Sequence, residues 1–477
     1  MSSVVAMLPS RVPLQLPAAM AVSLAYLNAG MFFGWSSPII PELQKNTSHI
    51  PITEDQGSWL ASVGLLASVP PTLLLGVFVE TVGRRWALLF AALPLLTFAV
   101  WQRFATTFGE LLATIVVGSV STSIILPLGP VYLVEIAEDH IRGFLVSMAT
   151  TMAGLGSLLM TAVGPKLSFF TVTEIMMVWP VLFAAVFWWM PESPYYLLAK
   201  HRKDEATKAL MRLRGKSSED EVQAELEVIQ RGLEENTQKE VSAADAFREL
   251  RRNAGSRRLF MLSMVFTMCV VLSGVDAINA NTLHILVESN SSLDPELSAI
   301  GVSSSTVLSC TVFSLVVDRL GRKPLLLFSL CGCCVATTSL GVYFFLSIYA
   351  NEGTTDAVFW LPLTGLIVFF VSYGMGLNSL LWVMPNELVP PSLRVLASSS
   401  VYILVAVLGF SDTKLFQVVT DAYGAFIPFW FFATCSFLGI IFVWFFIPET
   451  KGRSFADISS EKNFESSPHH DESSQPT

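Results

Sequence analysis

Apolar residues run for about twenty positions at a time along this chain, separated by short polar stretches. A helix needs roughly 20 apolar residues to cross a bilayer's hydrocarbon. The runs predict about twelve spans, at residues 17–39, 58–79, 87–104, 111–133, 144–163, 174–190, 259–287, 299–317, 325–350, 358–384, 395–410 and 424–447. They divide six and six about a charged stretch, residues 200–258. The predicted organisation is an N-terminus (1–16), a first six-helix half (17–190), a linker (191–258), a second half (259–447) and a tail (448–477). Within the linker, Ser218 and Glu221 are spaced as a capping box, and Val222, Leu226, Ile229 and Leu233 follow at helical intervals. A second helical stretch begins near Ala243 and continues through Phe247 and Leu250. The fold class is an all-α membrane protein with amphipathic helices between its halves.

Charge orients the spans. Arg84, Arg85, Arg142, Arg319, Arg322, Lys323, Arg394, Lys451 and Arg453 fall on the side of the linker, and Lys45, Arg103, Lys166 and Lys414 on the other. Basic loops stay in the cytosol, so the linker and both termini are expected there, in a multi-pass protein of the plasma membrane. Two glycosylation acceptor sequons, at Asn46 and Asn290, then fall outside.

Composition agrees. Hydrophobic residues make up 52% of the chain and charged ones 14%, against about 25% charged in soluble domains. The net charge of −9 comes partly from acidic loops and the tail, and points to no nucleic-acid partner. Six cysteines, among them Cys331, Cys333 and Cys334, lie within apolar runs, where a thiol packs as a small hydrophobe; no metal site is expected. Neither a phosphate-binding loop, zinc-spaced histidines nor a nucleophile elbow is present, so no enzyme and no cofactor are expected.

The two halves repeat each other. VETVGRRWALLF (79–90) returns half a chain later as VDRLGRKPLLLF (317–328). Glu135 and Arg142, seven apart after the fourth span, return as Glu387 and Arg394 after the tenth. Pro191-Glu192-Ser193 after the sixth returns as Pro448-Glu449-Thr450 after the twelfth. Such duplicated halves enclosing a midplane site are a recurring transporter design. Positions seven apart lie ~10.5 Å apart along a helix axis, so each glutamate and arginine is expected to reach charges on other elements. Arg84, Arg85, Glu135, Arg142, Asp318, Arg322, Glu387 and Arg394 are the expected cytosolic gate, its pairs holding the halves together. The competing reading makes the arginines topology anchors.

The loops GRR and GRK, with VYLVEIAEDHIRG, PESPYYLLAK, WVMPNELVPPSLR and IPETKGRSF, resemble the sugar porters of the major facilitator superfamily, among them insect facilitated trehalose transporters and animal glucose facilitators. The resemblance covers about Ala21 to Phe455. It implies two pseudo-symmetric six-helix halves rocking about a central polar site that takes a small polar solute, a sugar, from the lipid bilayer's either side. It also places the binding candidates. The family's glutamine of the fifth span falls on Thr150, and its asparagine of the eighth on Thr306. The motif QQLSGINA reads VVLSGVDA here, with valine at both glutamines and Asp276 at the asparagine. The tenth-span PxPW pattern begins at Asn378 and keeps Trp382. Asn279 and Asn281 are further polar candidates, as are His284, Ser303, Ser304 and Ser305.

An acid within a span is a functional candidate by default. Asp276 could orient a hydroxyl, bind a cation or exchange a proton. Proton-coupled relatives keep an acid after the turn that reads Phe33-Gly34-Trp35-Ser36 here, and the first span has none. Facilitated diffusion is therefore expected, with proton coupling through Asp276 and a solute sensor without flux as alternatives.

Overall fold

In the computed structural model, residues 13–138, 141–216, 218–237, 243–289, 294–349, 357–390 and 393–449 are described. Asn290 lies outside them, as do the side chains of Asp318, Glu387, Arg394 and Phe247. All regular elements among the described residues are helical.

Twelve helices are long and apolar enough to cross a membrane. Spans 1 to 6 are Gln15–Leu43, Glu54–Val82, Arg84–Phe104, Phe108–Ile136, Arg142–Lys166 and Phe169–Phe187. Spans 7 to 12 are Ala254–Ala280, Pro295–Phe313, Arg322–Tyr349, Leu361–Pro385, Leu396–Tyr423 and Phe426–Phe446. Local chemistry fixes their starts. Thr53 and Gln56 form a reciprocal capping box before span 2, and Thr107 and Glu110 form another before span 4. Asn253 and Asp294 cap spans 7 and 8. Each such cap contributes about 1 kcal/mol.

Each half has its own apolar core, built around Phe98, Phe183 and Phe187 in the first and Phe369, Phe429 and Phe432 in the second. Glycines bring helices together where a side chain would not fit. A Cβ on Gly156 of span 5 would strike the backbone of Leu27 in span 1, and one on Gly30 would strike that of Ala153. Large apolar side chains such as Leu74, Val77, Trp444 and Phe445 are exposed, which suits hydrocarbon rather than water as their solvent.

Between the halves run four short helices, Pro194–Ala199, Lys203–Arg214, Asp220–Thr237 and Ala243–Arg252. Val222, Leu226 and Ile229 bury their stripe against Leu197, Leu198, Ala206 and Leu210, with Leu233 at the edge. Leu250 of the last helix packs beside Val389, Leu393 and Ala397 of the second half. Arg214 ties the bundle to span 4, donating to the Ile136 carbonyl (2.8 Å) and pairing with Glu225 (2.5 Å) and Glu138 (3.6 Å).

Most span ends fall within a few residues of those expected, and two differences are larger. Span 11 does not stop at residue 410 but continues to Tyr423; within the polar run, Ser411 donates back to the Val407 carbonyl, and Lys414 reaches Asp55 and Ser58 of span 2. Span 7 breaks at Leu272–Gly274, where Gly274 has a left-handed φ of 89°. Short helices Val275–Ala280 and Thr282–Glu288 follow the break.

Candidate functional site

The duplicated Gly-Arg-basic motif has a structural cause. Gly83 (φ 100°) and Gly321 (φ 89°) adopt a conformation that side chains disfavour, and the next residue starts a helix in each case. A glutamate from the end of the same half fills the space a Cβ would need. It would lie 2.5 Å from Glu192 Oε2 at Gly83 and 2.9 Å from Glu449 Oε2 at Gly321. Those glutamates accept the orphan amides of the new helix. The Arg85 N–H donates to Glu192 Oε1 (3.0 Å), and the Arg322 and Lys323 N–H groups donate to Glu449 Oε1 and Oε2 (3.0 Å each). The basic side chains close the loop: Arg85 donates to the Trp188 carbonyl, and Lys323 Nζ to that of Trp444 (2.9 Å). Burial pushes the Glu192 carboxyl above its ordinary value, while the amides of Arg85 and Ser193 pull it down.

The motif charges therefore clamp span 3 to span 6 and span 9 to span 12 at the linker end of the bundle. Glu135 pairs with Arg84 at 3.3 Å, again within the first half. Arg142 starts span 5 at the same end, and Asp318, Glu387 and Arg394 contribute helical backbone there, their side chains lying outside the described residues.

Contacts between the halves are found at the far end and at mid-level. Lys414 Nζ of span 11 reaches Asp55 Oδ1 (2.6 Å) and Ser58 Oγ (2.7 Å) of span 2. It also lies 4.8 Å over the Trp59 ring, which meets Phe410. Ser303 of span 8 bonds to Thr161 of span 5 at 3.4 Å, and Val307 fills the notch at Gly154. Thr150 stands one turn from Gly154 on that same helical face, yet it is exposed. Spans 5 and 8 thus meet from the level of Gly154 toward the far end, and Thr150 is exposed one turn nearer the linker end.

The sequence candidates fall into three groups around this seam. Thr150 and Thr306 lie on the facing helices of spans 5 and 8, each hydroxyl bonded back to its own helix, at Ser147 O and Val302 O. Asn281 lines a crevice at the far end with Ser36, Ser37, Gln44, His284 and Gln417, and its amide donates to Ala277 O. Asn279 is exposed. Asp276, Asn378 and Trp382 follow the breaks in spans 7 and 10, the second being at Met375–Gly376. Asn378 Nδ2 meets Cys310 Sγ at 3.3 Å, and the Trp382 ring lies 4.8 Å from that of Tyr402. Irregular backbone within a membrane is tolerated where it lines a cavity or is packed in protein, and it is a pointer to transporter binding sites. Asn46 is exposed in the far-end loop after span 1.

Sequence reasoning missed Asp412, Gln417 and the partners of Lys414. Asp412 is a second acid within the spans, so Asp276 is not alone. The available signal was the helical continuation of span 11, in which Phe410, Thr413 and Phe416 recur on a helical period.

A family model described as "Sugar (and other) transporter" matches residues 21–461. The facilitated trehalose transporter Tret1 of the bee Apis mellifera ligustica is 30% identical over 94% of this chain and 88% of its own. Tret1 of the mosquito Anopheles gambiae is 28% identical over 93% of this chain, which spans only 55% of that protein. Among solved structures, the inward-open xylose transporter XylE of E. coli superposes with a TM-score of 0.75 over 94% of this chain and 99% of its own, at 18% identity. That likeness is one of fold.

Proposed function

The chain belongs to the sugar (and other) transporter family, and from that premise we propose that it carries a sugar downhill across a membrane by alternating access. The solute class is a hexose or a disaccharide such as trehalose, the sugar named for the insect relatives. No chemical step is involved, and the protein acts as a carrier rather than an enzyme.

The observation that carries this reading is the asymmetry of the seam. The halves are joined at the far end by Lys414 with Asp55 and Ser58, while Thr150, on the face that packs against span 8 higher up, is exposed lower down. A carrier closed on one side and open on the other presents its midplane groups to one compartment at a time. With the basic loops placed in the cytosol, the linker end is the inner side and this is the inward-open state. Asn46 then lies outside, where it could be glycosylated. The plasma membrane is the proposed location, with both termini cytosolic.

The clamps within each half let the halves move as units. Glu192 with Arg85, Glu449 with Arg322 and Lys323, and Glu135 with Arg84 tie helices that stay together, so rocking concentrates at the seam. Trp382 and Tyr402 offer aromatic surface to a sugar ring's apolar face, and Asp276, Asn378 and Thr150 offer polar atoms to its hydroxyls. The test is uptake into sealed vesicles by the purified chain across a panel of mono- and disaccharides and non-sugar solutes. Saturable flux of a sugar is expected; flux of none of them would refute the reading.

A further inference from the structure

Gly409 lies inside the long helix of span 11, Arg394–Tyr423. Its φ is outside the left-handed region that Gly83, Gly274 and Gly321 occupy, so the backbone does not require a glycine there. A glycine inside a helix costs stability relative to alanine. The reason for this one is space. A Cβ at 409 would lie 2.6 Å from Asp276 Oδ2, 3.3 Å from Asp276 Cγ and 3.2 Å from Leu65 Cδ1 of span 2. Non-bonded carbon and oxygen settle at about 3.3 Å or more. The Asp276 carboxyl therefore occupies the place of the missing side chain, and Leu65 borders that place from the opposite half.

Asp276 stands in the short helix that follows the break in span 7, Val275–Ala280. Its carboxyl has no hydrogen-bond partner among the described residues, and the residue is partly exposed. An acid within a span is a functional candidate by default, and the acceptor oxygens of this one are open to a solute. The contact with Gly409 sets where they point. An alanine at 409 would meet the end of a side chain rather than backbone. The expected response is that the carboxyl turns while the helices stay.

We propose that Gly409 is a positioning residue for substrate recognition: its bare Cα is the seat that aims the Asp276 carboxyl at one hydroxyl of the sugar. Gly409 itself touches no substrate and acts through Asp276. A polar group recognises a hydroxyl only when held in a narrow range of position and angle, and the seat supplies that restraint on one carboxyl oxygen. Leu65 borders the seat from the other half, so the seat belongs to the face the two halves share. The recognition part of this inference rests on the sugar-carrier reading; the seat does not.

The test has two arms. The first needs no sugar and compares thermal unfolding midpoints in a cycle of wild type, Gly409→Ala, Asp276→Ala and the double variant. Residues in contact give non-additive effects, so the shift caused by Gly409→Ala should be more favourable beside Asp276→Ala than in the wild type. Equal shifts in the two backgrounds overturn the seat. The second arm measures half-saturation concentrations for D-glucose, trehalose and their monodeoxy analogues. In the wild type, removal of the hydroxyl that Asp276 meets should raise the value by about tenfold or more, as loss of a hydrogen bond to a charged group does. In Gly409→Ala that discrimination should fall to about twofold, with the maximal rate largely kept. In Asp276→Ala it should be absent, and Gly409→Ala should add nothing further. Wild-type discrimination retained in folded Gly409→Ala, or no discrimination in the wild type, overturns the role in recognition. Should Gly409→Ala fold only beside Asp276→Ala, the seat stands and Asp276→Glu, whose extra methylene moves the carboxyl off the seat, replaces it in the second arm. Failure of the double variant to fold where Asp276→Ala folds places the obstacle elsewhere and overturns the seat. Absence of flux for every sugar would defeat the carrier reading alone and leave the first arm to decide.

Discussion

Lys414 on span 11 and Asp55 on span 2 are 359 residues apart in sequence and 2.6 Å apart in the structure, joining the two halves at the end away from the linker. Lys414 is the more buried partner, its side chain 16% exposed against 68% for Asp55. Solvent screens such a half-exposed pair, and its typical contribution is under about 1 kcal/mol. Ser58 and the face of Trp59 add to it on the same ammonium.

Breaking this latch should favour the outward-open state. Lys414→Gln is expected to raise the outward-open fraction by up to about fivefold, as a change of ~1 kcal/mol allows. Reactivity of a cysteine placed at Ser36 or Ser37 with an impermeant reagent added outside measures that fraction. Asp55→Asn should act in the same direction and more weakly at high salt, where exposed charges are screened. Equal reactivity in Lys414→Gln and wild type would show that apolar packing alone closes this end.

The motif glutamates should matter to stability rather than to the balance of states. Glu192→Ala leaves the Arg85 amide and its neighbours without their acceptor, and Glu449→Ala does the same for Arg322 and Lys323. Loss of hydrogen bonds to a charged group costs about 2 kcal/mol, which should lower the thermal unfolding midpoint by about 2 °C in a chain of this length. Gly83→Ala and Gly321→Ala should destabilise further, since each combines a left-handed φ with a Cβ directed at the glutamate. Unaltered melting with a changed ratio of inward to outward states would instead make these groups the gate.

That result bears on what the sequence could reveal. The twelve spans and the duplication were legible because length, hydropathy and repeated motifs are local properties. The linker's first helical stripe was equally legible, and Val222, Leu226 and Ile229 bury the face their spacing defines. The purpose of the repeated charges was less so. Seven-residue spacing showed that Glu135 needed a partner elsewhere, but only the fold shows Arg84 as that partner, within one half. Span 11 was cut short because Ser411 to Lys414 reads as the start of a loop. Lys414 is accommodated by contacts with span 2, far away in sequence, and no local pattern announces them.

Trp382 provides a test of the candidate site itself. It is 38% exposed, lies in the linker-side helix of span 10, and its ring packs beside that of Tyr402. Trp382→Ala should raise the half-saturation concentration for sugar by about tenfold, since removing an aromatic contact costs roughly 1–2 kcal/mol, with a smaller effect on the maximal rate. Uptake kinetics in proteoliposomes separate the two constants. An unchanged half-saturation concentration in the folded variant would take Trp382 out of the site.

The central claim is downhill sugar transport, and the most direct measurement is the endpoint of uptake in sealed proteoliposomes with and without an imposed pH gradient. Span 1 carries no carboxylate and no basic side chain between Pro17 and Ile40. Internal sugar should therefore rise to the external concentration and stop there under both conditions. Accumulation above the external concentration that requires the pH gradient and is lost in Asp276→Asn would contradict the account and make the protein a proton symporter.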